Sequence, residues 1–311
     1  MAKTNPNIKI INQENQGVAV ARQTGLQNAT GYFIAFLDSD DIINNIYIEE
    51  LLKAQKTNNA PVILARRFQM LNDFITLRYR KYPTNFRISE TPDYLPTIWV
   101  GVNCKMFKKG EIYIPDYNLV ANEDLAYVYN YLAKKDQIAC SNKSVYTQRF
   151  APNSLARDFI YGNLDHMDNT IRPLELEYSL FKENGLLEKY NSELEAVFIK
   201  NIMERVVNIK QSQESQESQE VKSRLIGVLL NYLSSRFPNW RQNKYLQKRF
   251  VGFPFDSFFY LNLALPTALK TQEIPNANGL DTVEMFNRTL KKGVNLWVII
   301  EKEKKDLNQI I

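Results

Sequence analysis

Three carboxylates fall within four positions at Asp38-Ser39-Asp40-Asp41, directly after the apolar run Tyr32-Phe33-Ile34-Ala35-Phe36-Leu37. Their oxygens are hard ligands, and two of them suit Mg²⁺ or Mn²⁺, an ion that keeps positions open for substrate phosphates. The run ahead of them is short, aromatic-rich and closed by turn residues, which predicts a buried strand of an α/β sheet. Ligands of open α/β sheets gather beyond the carboxyl ends of strands, where this cluster falls. Side chains at i and i+2 of an extended segment share a face, so Asp38 and Asp40 are expected to face one ligand. The plainer alternative is a helix N-cap ahead of Ile42-Ile43. A cap uses one such residue, and three are present.

The flanking elements must hold this cluster in place. Ile8 to Ile11 reads as a strand, Val18 to Asn28 as a helix with Val18, Ala21, Gly25 and Leu26 on one stripe, and Thr30-Gly31 as punctuation. Tyr47 to Lys56 is predicted as an amphipathic helix with Ile48, Leu51 and Leu52 inward, followed by a strand over Pro61 to Ala65. Alternation of strand and helix predicts a mainly parallel sheet with right-handed crossovers. Residues 66–96 are poorer in pattern and are expected to be partly irregular. Trp99 to Phe107 and Ile112 to Ile114 flank a turn at Lys108-Lys109-Gly110. Asn122-Glu123-Asp124-Leu125 opens a helix through Leu132, and Ser144 to Phe150 is strand-like.

Composition narrows the classes. Lys+Arg 39 against Asp+Glu 34 leaves +5 on 311 residues, a mild excess compatible with anionic substrates or a membrane surface. No basic-aromatic groove points to nucleic acid. The two cysteines, Cys104 and Cys140, lack partners for a metal site or a disulfide scaffold, which suits a reducing cytoplasm. The polar start lacks the apolar core of a signal peptide, and no stretch is long and apolar enough to span a bilayer.

Asn15-x-Gly17, Ala21-Arg22, Gly25-Leu26, Ala29-x-Gly31 and Phe36-Leu37-Asp38-Ser39-Asp40-Asp41, in this order, resemble the middle of a family 2 glycosyltransferase domain of GT-A fold. Glu123-Asp124-Leu125 resembles the second acidic motif of that family. Tyr146-x-x-Arg149 with Pro152-x-Ser154 resembles the segment closing the domain. The resemblance implies transfer of a sugar, with inversion, from a nucleotide-sugar donor to a glycan or lipid-linked acceptor. It implies Asp40 as metal ligand, Asp38 as partner of the metal or donor ribose, and Asp124 as catalytic base with Glu123 orienting it. Neighbouring carboxylates raise one another's pKa, although a charged helix start favoured by the macrodipole would look the same. Arg22 matches a donor-nucleotide contact, and Arg149 suits a bidentate grip on the diphosphate; for both, an ordinary ion pair or a solvated arginine is the alternative. Gly17 and Gly25 suit turn and packing needs. His166, the single histidine, corresponds to a metal-site histidine of some relatives but reads locally as an exposed helix residue.

The recognisable pattern begins at Asn5-Pro6-Asn7-Ile8, already near the third strand of such a domain. The front of the nucleotide-binding domain is therefore expected to be missing, leaving an open sheet edge that a partner chain could fill. The fold class expected is α/β, an incomplete GT-A sheet over residues 1–157 followed by a mostly helical domain over 158–311. In the latter, 158–183, 186–210 and 221–237 have helical periodicity, with Leu225, Val228, Leu229 and Tyr232 inward in the last. Residues 211–220 form a polar triplet repeat read as a linker or helix extension. A basic-aromatic stretch over 244–265 suits peripheral membrane contact or simply core, and 295–300 reads as a late strand. Two rivals stand beside glycosyl transfer: a metal-dependent phosphotransferase built on Asp38-x-Asp40, and a catalytically impaired homologue serving as an interaction subunit.

Overall fold

The computed structural model describes residues 7–71, 74–78, 81–114, 119, 122–150, 168–211 and 219–247. One sheet contains β1 (Phe33–Ala35), β2 (Ile42–Ile43), β3 (Val62–Leu71), β4 (Phe74–Arg78), β5 (Asn85–Arg87), β6 (Lys105–Lys108) and β7 (Gln137–Phe150). Its order is β1-β6-β3-β7-β2, with β4 added to β3 and β5 to β7. The helices are α1 (Val18–Asn28), α2 (Tyr47–Asn58), α3 (Val128–Lys135), α4 (Asp168–Glu183), α5 (Leu187–Gln211), α6 (Gln219–Arg236) and the short α7 (Lys244–Gln247). An α/β sheet followed by helices is thus the architecture.

β3 and β7 form a long parallel ladder, from Val62 opposite Ile138 to Leu71 opposite Phe150. The sheet is nevertheless mixed rather than mainly parallel, for its other pairings are antiparallel. The chain enters β6 through the 3₁₀ turn Val102–Cys104 at the carboxyl end of β1, and so returns against β1 and the first residues of β3, with Ala35 opposite Met106 and Leu64 opposite Lys105. β1 and β3 keep a common direction, as crossover connections require.

The strand expected over Ile8–Ile11 does not form. Ile8, Ile10 and Ile11 are exposed, and β1 ends the strand order with β6 as its neighbour. An extended segment becomes a strand only where a ladder takes up its N–H and C=O groups, and these residues meet none among the described ones. β1 itself is shorter than the apolar run suggests. Ile34 is buried, but Tyr32 and Leu37 lie at the surface, as on an edge strand rather than a strand covered on both faces.

α1 has the predicted bounds and starts after Gly17, whose φ of +88° admits glycine readily. α2 buries Leu51 and packs Leu52 against the smaller core as predicted, whereas Ile48 faces out and Tyr47 takes the buried place instead. Residues 66–96 are more ordered than expected: β3 continues to Leu71, β4 folds back on it, β5 pairs with β7, and a 3₁₀ helix runs from Pro92 to Thr97. Cross-strand pairing rescues a sequence that carries little periodicity of its own. Ile112 and Ile114 are buried without forming a strand.

Alternate strand residues feed two cores. Val62, Leu64 and Ile138 face a large core that continues through Leu125 and Leu132 into Leu174, Phe198, Leu229 and Trp240 of the helical region. Ile63, Met106 and Tyr146 face a smaller core under α2. α6 buries Ile226, Leu229, Leu230 and Leu233, whereas Val228 is exposed, contrary to expectation. Glu177 of α4 is fully buried, and its Oε1 accepts from the Asn130 backbone N–H in the first turn of α3 at 2.6 Å. Burial raises this carboxyl well above its usual range. The contact fastens the helical region to the segment carrying Glu123 and Asp124. Cys104 and Cys140 are buried free thiols. His166, residues 158–167, most of the polar repeat, 248–265 and 295–300 lie outside the described residues.

Candidate active site

The predicted residues converge on one cleft of about 1170 Å³, lined by Arg22, Asp38, Asp40, Glu123, Asp124 and Arg149 among others. That volume exceeds a typical small-molecule pocket of roughly 300–1,000 Å³. One wall comes from α1 and the end of β1, the opposite one from the 3₁₀ turn Glu123–Ala126.

The acidic turn departs from the extended geometry expected of it. β1 stops at Ala35, and the Asp41 N–H donates to the Asp38 carbonyl at 3.1 Å, folding 38–41 into a tight turn. Asp38 and Asp40 still line the same cleft, though not through strand alternation. Asp41 serves as the anchor. Its Oδ2 accepts from the Tyr146 hydroxyl at 2.5 Å and its Oδ1 from the Arg149 backbone N–H at 2.9 Å. Burial raises the Asp41 pKa, opposed by those two donors and reinforced by Asp40 and Asp38. The Tyr146 hydroxyl also accepts from the Asp38 N–H at 3.3 Å, so β7 clasps the turn at both ends.

Asp40 is exposed and accepts no hydrogen bond from the described residues. Each Asp38 oxygen takes a single nitrogen donor, Arg22 Nη2 at 3.1 Å and Asn103 Nδ2 at 3.0 Å, and keeps lone-pair capacity. Among the described residues no group of three or more His, Cys, Asp or Glu could hold a metal by itself. Two carboxylates, with the remaining positions filled by phosphate oxygens and water, are the usual Mg²⁺ complement. The donor set therefore fits such an ion.

Glu123 and Asp124 sit on the other side and are largely buried. Asn122 precedes them in a left-handed conformation (φ +59°), which starts a 3₁₀ turn in place of the α-helix expected here. Arg22 Nη1 bonds both carboxylates, Asp124 Oδ1 at 3.0 Å and Glu123 Oε1 at closer range, while Nη2 reaches Asp38. One guanidinium thus links the two acidic groups across the cleft floor. Burial works against its charge, but Asp124, Glu123 and Asp38 outweigh that and raise its pKa. Burial and the Asp124 charge push the Glu123 carboxyl up to about 7 despite Arg22. Asp124 is also raised by burial, opposed by Arg22 and the Val102 N–H. The Val102 N–H donates to Asp124 Oδ2 at 3.1 Å and the Tyr127 hydroxyl to Oδ1 at 3.3 Å. A buried carboxylate fixed by such donors and carrying a raised pKa has the character of a proton acceptor.

Asn103, Val102 and Tyr127 are not singled out by motif spacing. The one signal is a polar Asn103 and a charged Lys105 inside the otherwise apolar run Ile98–Phe107. Arg149 reaches the cleft with an exposed side chain, and its backbone makes the contact to Asp41. Lys200, Asn201 and Arg205 of α5 also line the cleft, and nothing in their local sequence announces it.

Residues 1–108 match the family model described as glycosyl transferase family 2. Among curated proteins, the glycosyltransferase EpsH of Bacillus subtilis is 48% identical over 52 residues, 17% of this chain and 15% of that protein. Glycosyltransferase GlyA of Streptococcus pneumoniae is 50% identical over 46 residues, 15% of this chain and 7% of that protein. These matches span only a small part of the relatives' length. Among solved structures, S. aureus TarS 1-349 in complex with UDP-GlcNAc superposes with a TM-score of 0.61 at 15% identity, covering 91% of this chain and 75% of that one. At that identity the likeness is one of fold alone, a GT-A fold with a helical C-terminal part.

Proposed function

We propose that this chain, whose residues 1–108 match the glycosyl transferase family 2 model, transfers a sugar with inversion from a nucleotide-sugar donor to a glycan or glycoconjugate acceptor. One observation carries the reading: the Asp38–Asp41 turn and the Glu123–Asp124 pair face a single cleft and share Arg22. The donor is placed with its diphosphate toward Asp40 and Asp38, as a UDP-sugar of the kind bound by TarS. Asp40 and Asp38 would hold a divalent cation there, which would supply charge neutralisation for the departing diphosphate. Asp124 takes the proton of the acceptor hydroxyl as its oxygen bonds the anomeric carbon and the bond from that carbon to the phosphate oxygen breaks. Glu123 and Arg22 hold Asp124 in place, and Arg149 stands where its guanidinium can meet a phosphate.

The helical region after residue 157 supplies the far wall of the cleft through α5 and is read as the acceptor side. The edge of β1, unpaired among the described residues, and the exposed Ile8, Ile10 and Ile11 ahead of α1 suit a partner polypeptide that extends the sheet. No described helix is long and apolar enough to cross a membrane. Surface-polysaccharide assembly at the cytoplasmic face, with peripheral contact to lipid-linked acceptors, is the setting we assign.

Calorimetric titration of UDP in Mn²⁺, paired with UDP release from UDP-GlcNAc, tests the division of roles. Asp40→Ala is expected to weaken Mn²⁺-dependent UDP binding by about tenfold or more, a loss of roughly 1.4 kcal/mol. Asp124→Asn is expected to keep that affinity while turnover falls about 10²–10⁴-fold, as loss of a general base implies. Equal loss of binding in both variants contradicts the assignment, and absence of UDP binding by the wild type favours the interaction-subunit rival.

A further inference from the structure

The segment from Trp99 to Cys104 crosses the cleft between the two acidic groups and touches both. Val102 donates its N–H to Asp124 Oδ2, and the next residue, Asn103, donates its side-chain N–H to Asp38 Oδ2. Two consecutive residues therefore fix two carboxylates that the proposed reaction uses for different purposes. Beneath the segment lies Lys105, fully buried, whose ammonium donates to the carbonyls of Trp99 and Gly101. A buried ammonium is a costly way to satisfy two carbonyls. Burial lowers its pKa, and the neighbouring Cys104 and Asp124 oppose that shift. Gly101 is equally constrained. A Cβ built there would come within 2.3 Å of Trp99 Nε1 and 2.7 Å of Asn103 Oδ1, so the segment closes this tightly only with glycine.

We propose that Lys105 and Gly101 form a brace that fixes the position of Asp38 relative to Asp124, making Lys105 a positioning residue for the transfer. It acts through the Val102 and Asn103 hydrogen bonds and has no contact with substrate. Its catalytic consequence rests on the glycosyl-transfer reading, whereas the brace itself does not.

Lys105→Met retains the stem and removes the donors, and Gly101→Ala retains the ammonium and forces the segment open. Both are followed by hydrogen exchange at the Val102 and Asn103 amides, with β3 and β7 amides as internal reference, and by UDP release from UDP-GlcNAc with Mn²⁺. The expected result in each variant is exchange faster by about tenfold at Val102 with unchanged β3 and β7, in keeping with loss of one charge-assisted hydrogen bond. Turnover is expected to fall by a similar factor while the donor KM moves less than about threefold, because the loss lies in the placement of Asp124. Unchanged Val102 exchange in a folded Lys105→Met protein overturns the brace. So does full turnover with Val102 released. Should Lys105→Met fail to fold, a folded Gly101→Ala protein with wild-type exchange and turnover assigns the ammonium to general stability and overturns it as well. A wild type that releases no UDP defeats the glycosyl-transfer reading and leaves the exchange comparison to decide the brace.

Discussion

The two acidic groups of the cleft are built on opposite principles. The turn 38–41 is anchored through Asp41 by neutral donors, the Tyr146 hydroxyl and the Arg149 amide, with the Arg22 cation reaching only Asp38, and Asp40 stays exposed. The Glu123–Asp124 pair is sunk into the protein and held by the Arg22 cation. An exposed carboxylate on a fixed turn costs little to keep charged and is free to take a cation. A buried pair is costly to keep charged, and its raised pKa is the mark of that cost. In the proposed reaction the same residue type is thereby fitted to two tasks, ligand and proton acceptor, chiefly by the difference in burial.

The largest break in this contrast comes at Arg22. Arg22→Met leaves buried carboxylates without their cation, and unfolding in urea should show a loss of about 3–5 kcal/mol. A loss under about 1 kcal/mol would place the pair in a wetter setting than the structure gives it.

A finer effect separates the two groups by pH. Glu123 titrates near 7 in the folded chain against 4.5 for an ordinary glutamate. Between those values the native state holds a proton that the unfolded chain has lost, so this contribution favours folding at the acid end and disappears as pH rises through about 7. Glu123→Gln carries no such proton. The melting temperature of the variant should gain on that of the wild type from pH 5 to pH 8, and a constant difference would assign the titration elsewhere.

The smallest effect belongs to the exposed turn. Tyr146→Phe removes one hydroxyl that serves Asp41 and the Asp38 amide, and should cost about 1–2 kcal/mol in urea unfolding. It should also weaken Mn²⁺-dependent UDP binding while leaving the pH slope of Glu123 in place. Movement of that slope would mean that the two groups are not separable.

Much of this was legible before folding because it is local. α1 emerges with its predicted bounds from a helical stripe after a turn, and the acidic cluster marks the cleft through residue type alone. The misreadings share one origin, the contacts a segment makes at long range. Ile8–Ile11 has strand composition but meets no ladder among the described residues, while Phe74–Arg78 has weak pattern and finds one. The run 32–37 reads as doubly covered, yet its neighbours leave Tyr32 and Leu37 at the surface. A mainly parallel sheet follows from counting crossovers, and the return of β6 between β1 and β3 with the antiparallel pairings of β2, β4 and β5 makes it mixed. At the site, carboxylates announce themselves, whereas Asn103 and Lys105 act through backbone shape and have no motif.

The clasp on the acidic turn joins Asp41 to Tyr146, residues 105 positions apart. During synthesis the turn leaves the ribosome long before the strand that secures it, and chains are made at roughly 5–20 residues per second. For several seconds the nascent polypeptide carries the acidic turn without the geometry that fixes its carboxylates. Maturation of the centre is thus deferred until β7 docks.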